Sequence, residues 1–165
     1  MFVRRGQVLE DDEFRVEKLS EADATEIERL LREVWPKADE YPRAWRNARM
    51  IGRKEIVKEM KTGLYYFGTK TNDRVIGVYK ASIIGDSVVG EHQSVHPEYR
   101  RRGMAEAMYD QFIIFAKQIG CKNVLVNVLP SQLASTRIVK RHGFVKIREY
   151  EQIPGMLVHL YQLTL

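Results

Sequence analysis

Val95-His96-Pro97-Glu98-Tyr99-Arg100-Arg101-Arg102-Gly103-Met104-Ala105 decides how this chain folds, because it joins the end of an apolar run to the start of a helical pattern. Upstream, Val88, Val89 and Val95 read as a strand. Downstream, Met104, Ala107, Met108, Phe112, Phe115 and Ile119 recur at spacings of three to four, as one face of a helix does. Arg100 to Ala105 is then the turn between the two. The first N–H groups of a helix have no intrahelical acceptor and sit at the positive end of its dipole, so they attract phosphate. A glycine at position 103 lets backbone approach such a ligand with no Cβ in the way.

Working outward, Phe14 to Leu19 alternates as a first strand, and Ser20 offers an N-cap to a helix with Ile27, Leu30, Leu31 and Val34 on one face. Pro36 helps to stop it. The later part of the segment from Tyr41 to Gly63 reads as helix, with Ile56, Val57 and Met60 turned inward. Leu64 to Thr69 and Arg74 to Ile83 are strand-like around the turn residues Lys70-Thr71-Asn72-Asp73. A helix ending near Gly120, a buried strand at Val124 to Val128 and a short helix from Ser131 or Gln132 follow. Phe144 to Glu151 and Met156 to Thr164 form a closing hairpin around Pro154-Gly155. Interleaved α and β elements predict a mixed α/β fold.

The spacing Arg100-x-x-Gly103-x-Ala105 resembles the acyl-coenzyme A pyrophosphate loop of the GNAT superfamily of N-acetyltransferases. The lead-in Val95-His96-Pro97-Glu98-Tyr99 and the later His142-Gly143-Phe144 resemble the same family, in outline from Phe14-Arg15-Val16 onward. The resemblance implies a splayed central sheet flanked by helices, and acetyl-coenzyme A as cosubstrate. It places Arg100, Arg101, Arg102, Gly103, Met104 and Ala105 on the pyrophosphate. It places Ser94 and Val95 where the pantetheine arm enters the opened sheet, with a backbone N–H at or near Val95 facing the thioester oxygen. Gln132 stands where an asparagine is common and Ser135 where Ala or Ser is common, so both are implied in pantetheine binding.

Attack by an amine also needs a proton acceptor. A lysine-like amine with a pKa of ~10.4 is free in about one molecule in a few thousand at neutral pH. Glu91, two residues before Gln93 on the strand, is the base candidate, near a position from which some family members supply a catalytic His or Glu. Burial would have to raise its carboxyl toward ~6 to 7 for efficient base catalysis. The alternative is a solvated strand glutamate. In a regular strand His92 faces the other way, and a bulge would re-aim both. The family often places a tyrosine five positions before the Phe of His142-Gly143-Phe144, to protonate departing thiolate. Val139 stands there. That departure keeps a non-enzymatic acyl-coenzyme A sensor or interaction module as the alternative to an enzyme.

Composition bounds the rest. The 165 residues, 44% hydrophobic and 30% charged, suffice for one domain over 1–165, with 1–12 as a loose arm or extra edge strand. One cysteine, Cys121, excludes an intrachain disulfide framework, and Met1-Phe2-Val3-Arg4-Arg5-Gly6 has no signal-peptide core, which implies a cytoplasmic protein. No apolar run approaches the roughly 18 residues that span a bilayer. A net charge of +5 suits a polyanionic cosubstrate, and because the densest basic cluster falls inside the loop, nucleic acid is disfavoured. Four scattered histidines show no metal-ligand spacing. The expected acceptor is an amine-bearing small molecule or a protein or peptide, its pocket walled by aromatics among Trp35, Tyr41, Trp45, Tyr65 and Tyr66. The apolar closing strand Met156 to Thr164 favours a homodimer.

Overall fold

Asn72 and Asp73 take φ angles of 51° and 66°, the left-handed pair that a two-residue hairpin loop requires. They join strand β2 (Tyr65–Thr71) to β3 (Arg74–Ile84) as the turn residues predict. This is a computed structural model, and it describes residues 14–165. The arm expected at 1–12 lies outside the described residues. The remaining elements are β1 (Glu17–Lys18), α1 (Ala24–Val34), α2 (Arg43–Arg49), α3 (Arg53–Lys61), β4 (Ser87–Val95), α4 (Met104–Gln118), β5 (Asn123–Val128), α5 (Leu133–Arg141), β6 (Val145–Ile153) and β7 (Met156–Thr164). The fold is mixed α/β, with a seven-stranded splayed sheet in the order β1-β2-β3-β4-β5-β7-β6.

One expectation shortens and another extends. The strand predicted over Phe14 to Leu19 contracts to Glu17–Lys18, paired antiparallel with Gly68 and Phe67. The segment from Tyr41 to Gly63 makes two helices, α2 and α3. Ser20 precedes a 3-10 turn at Glu21–Asp23, and its backbone N–H donates to Asp23 Oδ2 at 2.8 Å.

Contacts divide the chain into two compact units. The first contains residues 14–80 and His92–Met108, the second Ala81–Glu91 and Tyr109–Leu165. In the first, Ile27, Leu30, Leu31 and Val34 are buried as the helical period predicts, with Ile56, Val75 and Val78. Each such side chain contributes about 1.5–3 kcal/mol. A Cβ at Gly77 of β3 would overlap Met104 Sδ and Met108 Cε, so the start of α4 lies directly on that strand. The polar side of α1 makes a second fastening. Arg29 bridges Glu26 at 2.7 Å and Glu33 at 2.8 Å, Glu26 accepts from Val75 N, and Glu33 meets His96 Nε2 at 3.2 Å.

In the second unit, β5 pairs parallel with β4 from Ser87↔Asn123 to Gly90↔Val126, and antiparallel with β7 from Asn123↔Thr164 to Val128↔His159. The β4–β5 register stops at Gly90 although both strands run on, which is the splay. Val124, Val126 and Val128 are buried, alternating as a half-covered strand does. Met156, Val158 and Tyr161 of β7 are also buried, whereas Leu157 between them is exposed. No described helix is long and apolar enough to cross a membrane.

Candidate active site

The loop before α4 is shaped by two left-handed residues, Arg101 at φ 62° and Gly103 at φ 90°. Pro97–Tyr99 forms a 3-10 turn in which His96 Nδ1 accepts from Glu98 N at 3.2 Å. Nε2 lies 3.2 Å from Glu33 Oε2, and the Glu33 carboxyl is held below the usual range chiefly by its bond to Arg29. A Cβ built on Gly103 meets none of the described residues within 4 Å, so among them the space above this residue is open. The first α4 hydrogen bond runs from Ala107 N to Gly103 O at 3.0 Å, so the N–H groups of Met104 and Ala105 precede the intrahelical ladder.

The three loop arginines do different things. Arg102 lies over the rings of Tyr99 at 5.2 Å and Phe14 at 5.6 Å. Arg100 turns back, its Nε donating to Val95 O at 3.2 Å. Arg101 is exposed.

Strand β4 is kinked where its pairing with β5 has ended. His92 sits at φ 57°, so the strand is not regular there and the opposite-face expectation for Glu91 and His92 does not apply. Ser94 holds the kink. It is 2% exposed, donates its hydroxyl to His92 O at 3.0 Å and accepts from Trp35 Nε1 at 2.9 Å. His96 N donates to Ile76 O at 2.9 Å, so by strand alternation the N–H and C=O of Val95 point away from β3. Glu91 is exposed, and the burial that base catalysis asks of it is not present in the protein alone.

Beside the kink lies a pocket of about 230 Å³, counted with its open mouth, lined by Arg49, Lys80 and His92 and by the aliphatic Leu31, Ile51 and Val78. Tyr66 and Tyr79 complete its wall. Lys80, 6% exposed, is held by Glu59 at 3.0 and 3.1 Å, and Tyr66 donates its hydroxyl to the same carboxylate. Burial, reinforced by the charges of Arg49 and Lys80, pushes the His92 imidazole down to about 2, so it is neutral. Arg49 packs its guanidinium over Trp45 at 3.2 Å and Trp35 at 5.4 Å and donates to Trp45 O at 3.0 Å. Trp35, Tyr41 and Trp45 form one aromatic cluster, with centroids 5.1 to 5.8 Å apart. Tyr65 stacks instead on Phe67 at 6.1 Å.

A model described as the acetyltransferase (GNAT) family matches residues 24–144. The chain belongs to this family. No curated protein matches it in sequence. Solved structures match in fold at low identity. The ribosomal-protein-S18-alanine N-acetyltransferase from Escherichia coli is 15% identical with a TM-score of 0.73, over 92% of this chain and 94% of that one. The PaiA N-acetyltransferase from Thermoplasma acidophilum, in complex with coenzyme A, is 15% identical with a TM-score of 0.74, over 93% and 99%. A GNAT-family acetyltransferase from Streptococcus pneumoniae reaches a TM-score of 0.78 at 14% identity, over 92% and 99%.

In this GNAT acetyltransferase, the second unit holds the other residues named from sequence. Gln132 uses its side-chain Oε1 to accept from Leu129 N at 2.8 Å, closing the turn into α5 and leaving its amide NH₂ for another acceptor. Ser135 is half-buried on α5, and Val139 is fully buried. No group of three His, Cys, Asp or Glu that could hold a metal occurs among the described residues.

Sequence reasoning named neither Arg49 nor Lys80. Lys80 left a signal, a lone charge in the apolar run Val75-Ile76-Gly77-Val78-Tyr79-Lys80-Ala81. Arg49 left none, because a basic residue on a short helix is ordinarily solvated.

Proposed function

We propose that this enzyme transfers an acetyl group from acetyl-coenzyme A directly to a primary amine. The observation that carries the reading is Gly103, left-handed and open above its Cα at the start of a 15-residue helix. The open space over it admits a pyrophosphate, with the backbone N–H groups of Gly103, Met104 and Ala105 as donors. Arg101 and Arg102 add charge to the loop. Arg100 gives up Val95 O when the pantetheine arm lies along β4. Gln132 and Ser135 bind pantetheine amides.

The amine nitrogen attacks the thioester carbonyl carbon. A C–N bond forms, the C–S bond breaks, one proton leaves nitrogen, and coenzyme A departs as a thiolate that is protonated to the free thiol. Val95 N–H, on the side of β4 away from β3, faces the carbonyl oxygen as negative charge builds there. Glu91 takes the proton from nitrogen, directly or through water, once bound substrates have excluded solvent around it. Val139 has no proton to give, and the reaction tolerates this because a thiol with a pKa of ~8.5 is a fair leaving group.

The test is thiol release from acetyl-coenzyme A across a panel of primary amines, with the acetylated product identified by mass. Stoichiometric thiol and N-acetyl product are expected. Tight acetyl-coenzyme A binding with no turnover on any amine would favour a sensor.

A further inference from the structure

The positive charge of this chain is gathered on two short helices. Between Arg43 and Lys61, α2, α3 and the link that joins them hold seven cations against the two carboxylates Glu55 and Glu59, an excess equal to the net +5 of the whole sequence. Glu59 turns inward to Lys80 and Tyr66, which leaves Glu55 as the exposed carboxylate of that span. Arg53, Lys54, Lys58 and Lys61 are all exposed. At about 100° per residue, Lys54, Lys58 and Lys61 fall within an arc of about 60°, on the side of α3 away from buried Ile56.

Helix α1 carries its charge differently. Its Arg29 and Arg32 are matched by Glu26, Glu33 and Glu28 at 2.7, 2.8 and 3.3 Å, the usual interleaving of signs on a solvated helix face. On α3, Lys61 reaches Glu21 only at 4.0 Å, and among the described residues Arg53, Lys54 and Lys58 have no carboxylate within ion-pair distance. Like charges three and four positions apart repel, so an anionic partner along the stripe would relieve that repulsion. The helix also begins close to the pocket beside His92, since Ile51 of the pocket wall is two residues from Arg53.

The length of the stripe selects the partner. Lys54 to Lys61 covers about 10 Å of helix at ~1.5 Å per residue, which is more than a single carboxylate spans and matches about three residues of extended peptide. None of the exposed large apolar side chains among the described residues lies on α2 or α3, as seating on a lipid surface would need. Trp45, the aromatic residue of these helices, is buried, so no ring is offered to a nucleic-acid base.

Resting on the acetyl-transfer reading above, we propose that α3 docks an acidic stretch of a polypeptide acceptor, with Lys54, Lys58 and Lys61 meeting carboxylates a few residues from the amine that is acetylated.

The test uses two peptide libraries in which every peptide bears one primary amine, at its N-terminus or on a single internal lysine. One library carries a run of glutamates a few residues from that amine, the other glutamines at the same places. With acetyl-coenzyme A saturating, the rate at low peptide concentration reads kcat/KM. The glutamate library should be faster by at least about threefold, as two or three exposed ion pairs predict, and the ratio should shrink as salt is raised. Lys54→Glu combined with Lys58→Glu, its fold checked by circular dichroism, should bring the ratio to one or below; should that variant not fold, the ratio and its salt dependence in the unaltered enzyme decide. Equal turnover of the two libraries overturns the proposal, as does a ratio that survives the double substitution. Acetylation confined to small amines overturns it as well, and so does salt-sensitive binding of a DNA duplex or of anionic vesicles with no preference between the libraries. Acetyl transfer stands wherever any amine is turned over, whereas silence from every peptide and small amine removes both readings.

Discussion

Trp35 Nε1 donates to Ser94 Oγ over 2.9 Å, and the same hydroxyl donates to His92 O, so one buried side chain ties the end of α1 to the kink in β4. The relationship explains how a histidine keeps a left-handed backbone inside a strand. Without Ser94, His92 O loses a donor and the Trp35 indole is left buried without its acceptor.

Ser94→Ala should therefore destabilise the protein by about 1–3 kcal/mol, the cost of an unsatisfied buried donor. Urea unfolding followed by tryptophan fluorescence measures it. A loss below a few tenths of a kcal/mol would show that the kink does not depend on this hydroxyl.

Stability should fall as pH drops below about 6.5, and His92 supplies the sign. Its folded pKa lies below the unfolded value, so at mildly acidic pH the unfolded chain binds a proton that the native chain refuses. The stability is complete above the unfolded pKa and declines by about 1.4 kcal/mol per pH unit below it. Glu26 and Glu33, both lowered chiefly by hydrogen bonds to Arg29, add losses only below the ordinary carboxylate range of ~4.3. His92→Asn, which suits positive φ, should flatten the profile between about pH 6 and 5. An unchanged slope would mean that His92 is protonated in the native state.

Much of this was legible in the sequence where chemistry is local. Asn72-Asp73 announced a hairpin because few residues accept left-handed backbone. Met104, Met108 and Phe112 announced a helix by their period, and Arg100 to Ala105 announced the turn before it. The charged residues around the pocket beside His92 were not legible for a physical reason. Arg49, Lys80 and Glu59 come together from α2, β3 and α3, and only the folded chain shows that the two cations are buried rather than solvated. The kink at His92 was likewise hidden, since its cause is a hydrogen bond from Trp35, 59 positions away from Ser94.

Val139→Tyr tests whether thiolate departure lacks an acid. Val139 is fully buried, so a phenol there must displace its neighbours and should cost about 1–3 kcal/mol. Thermal melting and thiol release together read the result. Lowered stability with no gain in rate is expected, and a faster, fully stable variant would contradict this packing.

Glu91→Gln should lower the rate of acetyl transfer while leaving acetyl-coenzyme A affinity nearly unchanged, because the exposed carboxylate is assigned to the amine. The acid limb of the rate profile should shift with it. Unaltered turnover across that limb would pass the proton to water alone.

The most direct measurement is calorimetric titration of acetyl-coenzyme A into the unaltered protein and into Gly103→Val, with the fold of each checked by circular dichroism. A β-branched side chain would occupy the open space over the loop and oppose its φ of 90°. The account predicts clear binding to the first and at least about a hundredfold weaker binding to a folded Gly103→Val, as expected when several backbone-to-phosphate hydrogen bonds are lost. Equal affinity in the two would contradict the assignment of this loop to the pyrophosphate.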